Sequence, residues 1–156
     1  MALKNFRPLA EEGNVRAQYF LGYMYEEGLK VPQDYQKARQ WYHRAAMGGD
    51  GPAQVNLAVM YSEGRGVSQD YGKAVPWYRR AAEQGIAKAQ YSLGVLYFKG
   101  QVVPQDFVLG YMWVSLAAKQ GELNAELAKL NAEEVMTKVQ VVKGKQLVRQ
   151  WKPKSG

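Results

Sequence analysis

The sequence contains no cysteine and only one histidine in 156 residues. Without cysteine there are no disulfides, no thiolate metal ligands and no cysteine nucleophile. With His43 alone, a multi-histidine metal site cannot be assembled and a Ser-His device is not expected. Long apolar runs are missing too: no segment approaches the ~18 residues of a membrane span. Met1 to Ala10 carries charge but no apolar stretch of the kind a secretory leader needs. Phosphate-cradling glycine runs, HExxH, nucleophile elbows and EF-hand loops are all absent. Gly64-Arg65-Gly66 lacks the third glycine of a dinucleotide fingerprint and follows no strand. The neighbouring carboxylates Glu26 and Glu27 splay by roughly 100° on a helix. The expectation is a protein that is not an enzyme, with no catalytic residues, no cofactor and no metal.

What is present is a repeat. Ala17, Ala53, Ala89 and Ala125 are spaced by 36 residues. So are Leu21, Leu57 and Leu93; Tyr25, Tyr61 and Tyr97; Gly28, Gly64 and Gly100. In the second half of each unit Asp34, Asp70 and Asp106 recur, as do Trp41, Trp77 and Trp113, then the Ala45-Ala46 pair and Gly49. Each unit reads as two helices. In helix A, Ala17, Leu21, Met24 and Tyr25 fall on one face of a 3.6-residue period, and Gly28 suits the left-handed position that ends a helix. In helix B, Ala38, Trp41, Tyr42, Ala45 and Ala46 form a second apolar stripe, with Asp34 as N-cap. The connector keeps a valine (Val31, Val67, Val103), which predicts a loop pinned to the body. Gly22, Gly94 and Gly110 let backbones approach, while the recurring tyrosines, Tyr71 among them, fill layers. One hairpin cannot bury such surface alone, but stacked neighbours can.

The pattern predicts an all-α fold, an α/α superhelix or solenoid of helix-turn-helix units in a single domain over residues 1–156. Residues 1–13 read as a half repeat: shifted by one period, Ala2, Phe6, Ala10 and Gly13 fall on Ala38, Tyr42, Ala46 and Gly49. That is expected of a protein that begins upstream or that uses this helix as a cap. Full repeats follow at 14–49, 50–85 and 86–121, with terminal capping helices and a basic tail at 122–156. Pro8 and Pro76 predict irregular first turns in their helices. Lys129 stands where the repeat calls for leucine. Asn131 with Glu134 reads as the start of a last helix from Ala132 to Trp151, and Val135, Val139 and Val142 are its expected covering face.

These residues resemble the Sel-one-like repeat (SLR) family, a relative of the tetratricopeptide repeat. The run from Ala17 to Tyr25, then Gly28, Val31 to Tyr35, Ala38, Trp41-Tyr42, Ala45-Ala46 and Gly49 carries the likeness, and it recurs twice. The resemblance implies an adaptor or scaffold that assembles complexes. It also implies a bacterial protein working in the periplasm or outside the cell if an upstream leader has been removed, and in the cytoplasm otherwise. Some members place a disulfide in each repeat; this chain departs from that branch.

In stacked hairpins of this type helix A lines the concave surface. The groove-facing positions read Arg16, Tyr19, Tyr23, Glu26 and Glu27, then Val55, Val59, Ser62 and Glu63, then Lys88, Tyr91, Val95, Phe98 and Lys99. Their aromatics and valines form an apolar track, and tyrosine with arginine is common hot-spot chemistry. The expected partner is a protein or peptide, held by a monomer, with acidic and basic ends of the groove setting its direction. The net charge of +7 suggests an alternative, a nucleic acid or other polyanion. However, all 14 acidic residues precede Lys138, which leaves the repeat body near neutral. The excess is Lys138, Lys143, Lys145, Arg149, Lys152 and Lys154, so any polyanion would meet the C-terminal helix. Arg149 and Lys152 also complement the dipole of that helix.

Overall fold

The 36-residue period becomes pairs of antiparallel helices in the computed structural model, which describes residues 2–155, with side chains from residue 4 onward. Among the described residues all regular structure is α-helical: α1 (Ala2–Glu11), α2 (Val15–Glu27), α3 (Tyr35–Met47), α4 (Gly51–Glu63), α5 (Tyr71–Glu83), α6 (Ala87–Lys99), α7 (Phe107–Lys119), α8 (Ala125–Val135) and α9 (Lys138–Gln150). The helices gather into two compact units, Met1–Trp77 and Tyr78–Ser155, with the division inside α5. In the first, α1 packs on α2, α2 on α3 and α3 on α4. In the second, α7 packs against α6, α8 and α9.

Three side-chain devices recur and explain why the period is so regular. Asp34, Asp70 and Asp106 each accept a hydrogen bond from the backbone N–H three residues on, at 2.9, 3.0 and 2.9 Å, capping the B helices. Gln33, Gln69 and Gln105 donate to the carbonyls of Glu26, Ser62 and Phe98 at 2.8, 2.7 and 2.8 Å, closing the C-terminal ends of the A helices. Gln18, Gln54 and Gln90 are buried and donate to Ala10, Ala46 and Ala82 at 3.0, 3.2 and 3.2 Å. Each ties an A helix to the last turn of the B helix before it, where a carbonyl lacks its intrahelical partner. Gly28, Gly64 and Gly100 end the A helices at φ 68°, 72° and 63°, a region that side chains other than glycine's disfavour.

The core of the first unit includes Ala10, Ala17, Leu21 and Met24, with Phe6, Val31 and Trp41 against them. Small residues do what the pattern requires: a Cβ on Gly22 would lie 2.6 Å from Tyr42 Cδ1. In the second unit Tyr111, Ala132 and Met136 pack with Phe98, Phe107 and Val141.

Four expectations need correction. Pro8 and Pro76 do not disturb their helices, which continue through them. The carbonyls that lose a partner belong to Lys4 and Gly72, both exposed residues that water can satisfy. Tyr71 is exposed, not a layer filler. There is no single last helix from Ala132: Asn131 sits inside α8, and α9 starts at its own capping box. There Thr137 accepts from the Gln140 N–H at 3.2 Å and Gln140 accepts from the Thr137 N–H at 2.9 Å. The break lets Met136 turn inward. Consequently Val135, Val139 and Val142 are exposed, and Ala132, Met136, Val141 and Val148 provide the cover instead.

Candidate functional site

In the first unit the A-helix face is built from α2 and α4. Tyr19 lies in the middle of an aromatic cluster, its ring 5.6 Å from Phe20 and 5.8 Å from Tyr42, and Phe20 stacks on Phe6 at 5.3 Å. The Arg16 guanidinium sits above both Tyr19 and Phe20, at 5.6 and 5.7 Å. Its Nη1 is 3.4 Å from Asp50 Oδ2, while the other Asp50 oxygen caps α4. Tyr23, one turn further, is 41% exposed. The rings are therefore fixed by neighbours while their edges remain available, a low-entropy contact surface.

Beneath this surface runs a polar network. The Tyr42 hydroxyl donates to Glu26 Oε2 at 2.6 Å, and Arg65 approaches Glu26 Oε1 at 3.3 Å and Glu63 at 2.7 Å. The Asn56 side chain lies close to both phenols and opposes the upward push on them. Burial pushes the Tyr42 phenol far above its usual range, and the hydrogen bond to Glu26 and its charge push the same way. Tyr19 is raised as well, first by burial and then by the nearby Asp50 carboxylate, with Arg16 opposing. Both phenols stay neutral at any ordinary pH, so the network positions rings.

The structure separates the residues expected in the groove. Arg16, Tyr23, Glu27, Glu63, Lys88 and Lys99 are exposed, and Tyr19, Val59, Tyr91 and Val95 are half-buried. Val55 is only 4% exposed and does not belong to the contact surface. Nine of the thirteen residues of α4 are buried, spread around the helix rather than gathered in one stripe, and only Pro52 and Glu63 of it are exposed, unlike the single apolar stripe of an amphipathic helix. Glu26 and Ser62 are buried with it, Ser62 donating to the Val59 carbonyl at 3.0 Å. In the second unit Phe98 packs inward, 6.1 Å from Phe107 and against Gly110.

The basic tail also divides. Lys138, Lys143, Lys145, Arg149 and Lys152 are exposed. Lys154 is held by Glu83, side chain to side chain at 3.1 Å and backbone N–H to carbonyl at 2.7 Å. Trp151 meets Trp113 edge-on at 6.3 Å. Lys145 and Arg149 line a cavity of about 310 Å³ between α7, α8 and α9 together with Lys119 and Lys129. Sequence reasoning did not place Lys119 there. Its one clue was Lys129 in a leucine position. Among the described residues no cluster of His, Cys, Asp and Glu could hold a metal ion, and no helix is long and apolar enough to cross a membrane.

A family model, the Sel1 repeat, matches residues 15–50, 51–86 and 87–122. A solved Sel1 repeat protein from Oxalobacter formigenes is 38% identical, superposes with a TM-score of 0.70, and is matched over 73% of this chain and 47% of its own. A protective antigen present in uropathogenic Escherichia coli strains, displaying an SLR fold, is 27% identical with a TM-score of 0.72, over 96% of this chain and 40% of its own. Chitin synthase regulator SKT5 of Malassezia restricta is 44% identical over 41 residues, which are 26% of this chain and 3% of that protein. The chain thus spans less than half the length of each of these relatives.

Proposed function

We propose, from the premise that this chain belongs to the Sel1 repeat family, that it is an adaptor holding a peptide or protein partner on the faces of its A helices. Sel1 repeat proteins generally mediate protein–protein interaction, and the family is typically a non-catalytic scaffold. The observation that carries the reading is the aromatic surface of the first unit: Tyr19 and Phe20 beneath Arg16, with Tyr23 exposed beside them. Phe20, Tyr42 and Arg16 hold the central ring by ring contacts, so a partner would order few side chains on docking. Glu27 and Val59 extend this surface. In the second unit Lys88, Tyr91, Val95 and Lys99 form the corresponding face. Val55 has no part in it.

The test is affinity capture from the source cell, followed by measurement of the captured partner against variants. Tyr19→Ala with Tyr23→Ala removes the ring surface of the first unit, and Tyr91→Ala that of the second. Loss of two such anchors is expected to weaken binding by roughly 30-fold or more. Unchanged affinity in both variants would refute the proposal.

A further inference from the structure

The cavity between α7, α8 and α9 gathers four cations. Lys119 ends α7, Lys129 lies in α8, and Lys145 and Arg149 are one turn apart on α9 and so share a face. All four line the same space of about 310 Å³, and Glu126 is the single carboxylate among its lining residues. Glu126 is engaged by Lys129, Oε1 to Nζ 3.0 Å. Four cations against one carboxylate leave three positive charges uncompensated. Among the described residues, Lys119, Lys145 and Arg149 have no carboxylate partner. Converging like charges oppose folding, so their presence in one cleft argues for a ligand that neutralises them.

The remainder of the wall is suited to an organic body. Tyr111, Ala118 and Val148 supply apolar surface, and the Tyr111 hydroxyl is already committed to Glu133 Oε1 at 2.7 Å. Burial and that bond raise the Tyr111 phenol to about 12, so it adds no negative charge to the cavity. The space falls at the small end of the range for small-molecule sites, about 300–1,000 Å³. The repeat itself places leucine where Lys129 stands (Leu21, Leu57, Leu93), so one of the four cations replaces a core residue.

We propose that this cavity binds a compact organic oxyanion carrying two or more negative charges, phosphoryl or carboxylate. Arginine offers a planar fork to such a group and the lysines offer point charges. The site is independent of the A-helix faces.

Titration calorimetry on the full chain tests it, with pyrophosphate and citrate as probes at low salt. At least one is expected to bind with a dissociation constant below about 1 mM, weakening as salt rises. Binding of pyrophosphate alone assigns a phosphoryl ligand, and of citrate alone a carboxylate. Lys129→Leu, Lys145→Gln and Arg149→Gln are each expected to weaken it about tenfold. The Lys138→Gln/Lys143→Gln double variant takes two charges from α9 outside the cavity and should change it less than about twofold. Lys145 and Arg149 are exposed, so their variants keep the test intact should Lys129→Leu disturb folding. Three results would overturn the proposal: no binding of either probe at 5 mM, equal weakening by the control double variant, or tighter binding of RNA that the cavity variants do not affect.

Discussion

Gly144 lies in the middle of α9, where glycine ordinarily weakens a helix, and its replacement by alanine sets two effects of opposite sign against each other. From propensity alone, Gly144→Ala should stabilise by about 0.5–1 kcal/mol. The structure supplies the opposing effect. A Cβ on Gly144 would fall well inside the van der Waals surface of Tyr111, against Cδ1, Cε1 and Cγ. Tyr111 is buried and its hydroxyl is held by Glu133, so the ring cannot swing away without breaking that bond. Overpacking of this kind costs about 1–3 kcal/mol, and the expected balance is a net loss of about 1–2 kcal/mol. Urea denaturation of wild type and variant measures it. The background Tyr111→Val, which borrows the residue of the second repeat (Val75), removes the obstructing ring. There Gly144→Ala should be neutral or stabilising, with a coupling of about 1–3 kcal/mol between the sites. Stabilisation by Gly144→Ala in the wild-type background would refute the claim that glycine is present for close packing.

Other predictions follow from the recurring devices and the buried phenol. Gln18→Leu should destabilise by about 1 kcal/mol in urea melts, because the Ala10 carbonyl loses a donor; a gain would mean the amide is only filler. The N-cap of α6 is Ile86, with no side-chain cap, where the other A helices have Asn14 and Asp50. Ile86→Asn should therefore be more stable than Ile86→Ala by about 1 kcal/mol, a comparison that cancels the lost isoleucine packing. Tyr42 is held neutral in the folded chain above its unfolded value of 10.0. Its contribution is then fully present below pH 10 and lost as pH rises further, by up to ~1.4 kcal/mol per pH unit. Tyr42→Phe should flatten the alkaline limb of the stability profile, and an unchanged limb would contradict the assignment.

The fold was largely legible because a period of 36 repeats every local signal three times: Asp34, Asp70 and Asp106 cap as their spacing implies, and Gly28 and its equivalents stop the A helices. Legibility ended where the repetition did. The valines after residue 132 keep helical spacing across Thr137, so periodicity alone joins two helices; the capping pair Thr137 and Gln140 was the signal that separates them. For the candidate site, helical geometry puts Tyr19 and Tyr23 on the outer side of α2, where Tyr19 is half-buried and Tyr23 exposed, but it assumed one apolar stripe per helix. Val55 fails that assumption because the buried residues of α4 are spread around the helix, and Phe98 because Gly110 leaves room for its ring. The cationic cavity was invisible for another reason. Its members come from three helices, and only Lys129 broke a pattern that could be seen in sequence.

The central claim is that the A-helix aromatics hold a partner, and the most direct measurement is the affinity of a captured partner for wild type and for the Tyr19→Ala/Tyr23→Ala chain. A loss of roughly 30-fold or more, with the variant's unfolding midpoint close to that of wild type, is the predicted result. Equal affinity for the two chains would contradict it.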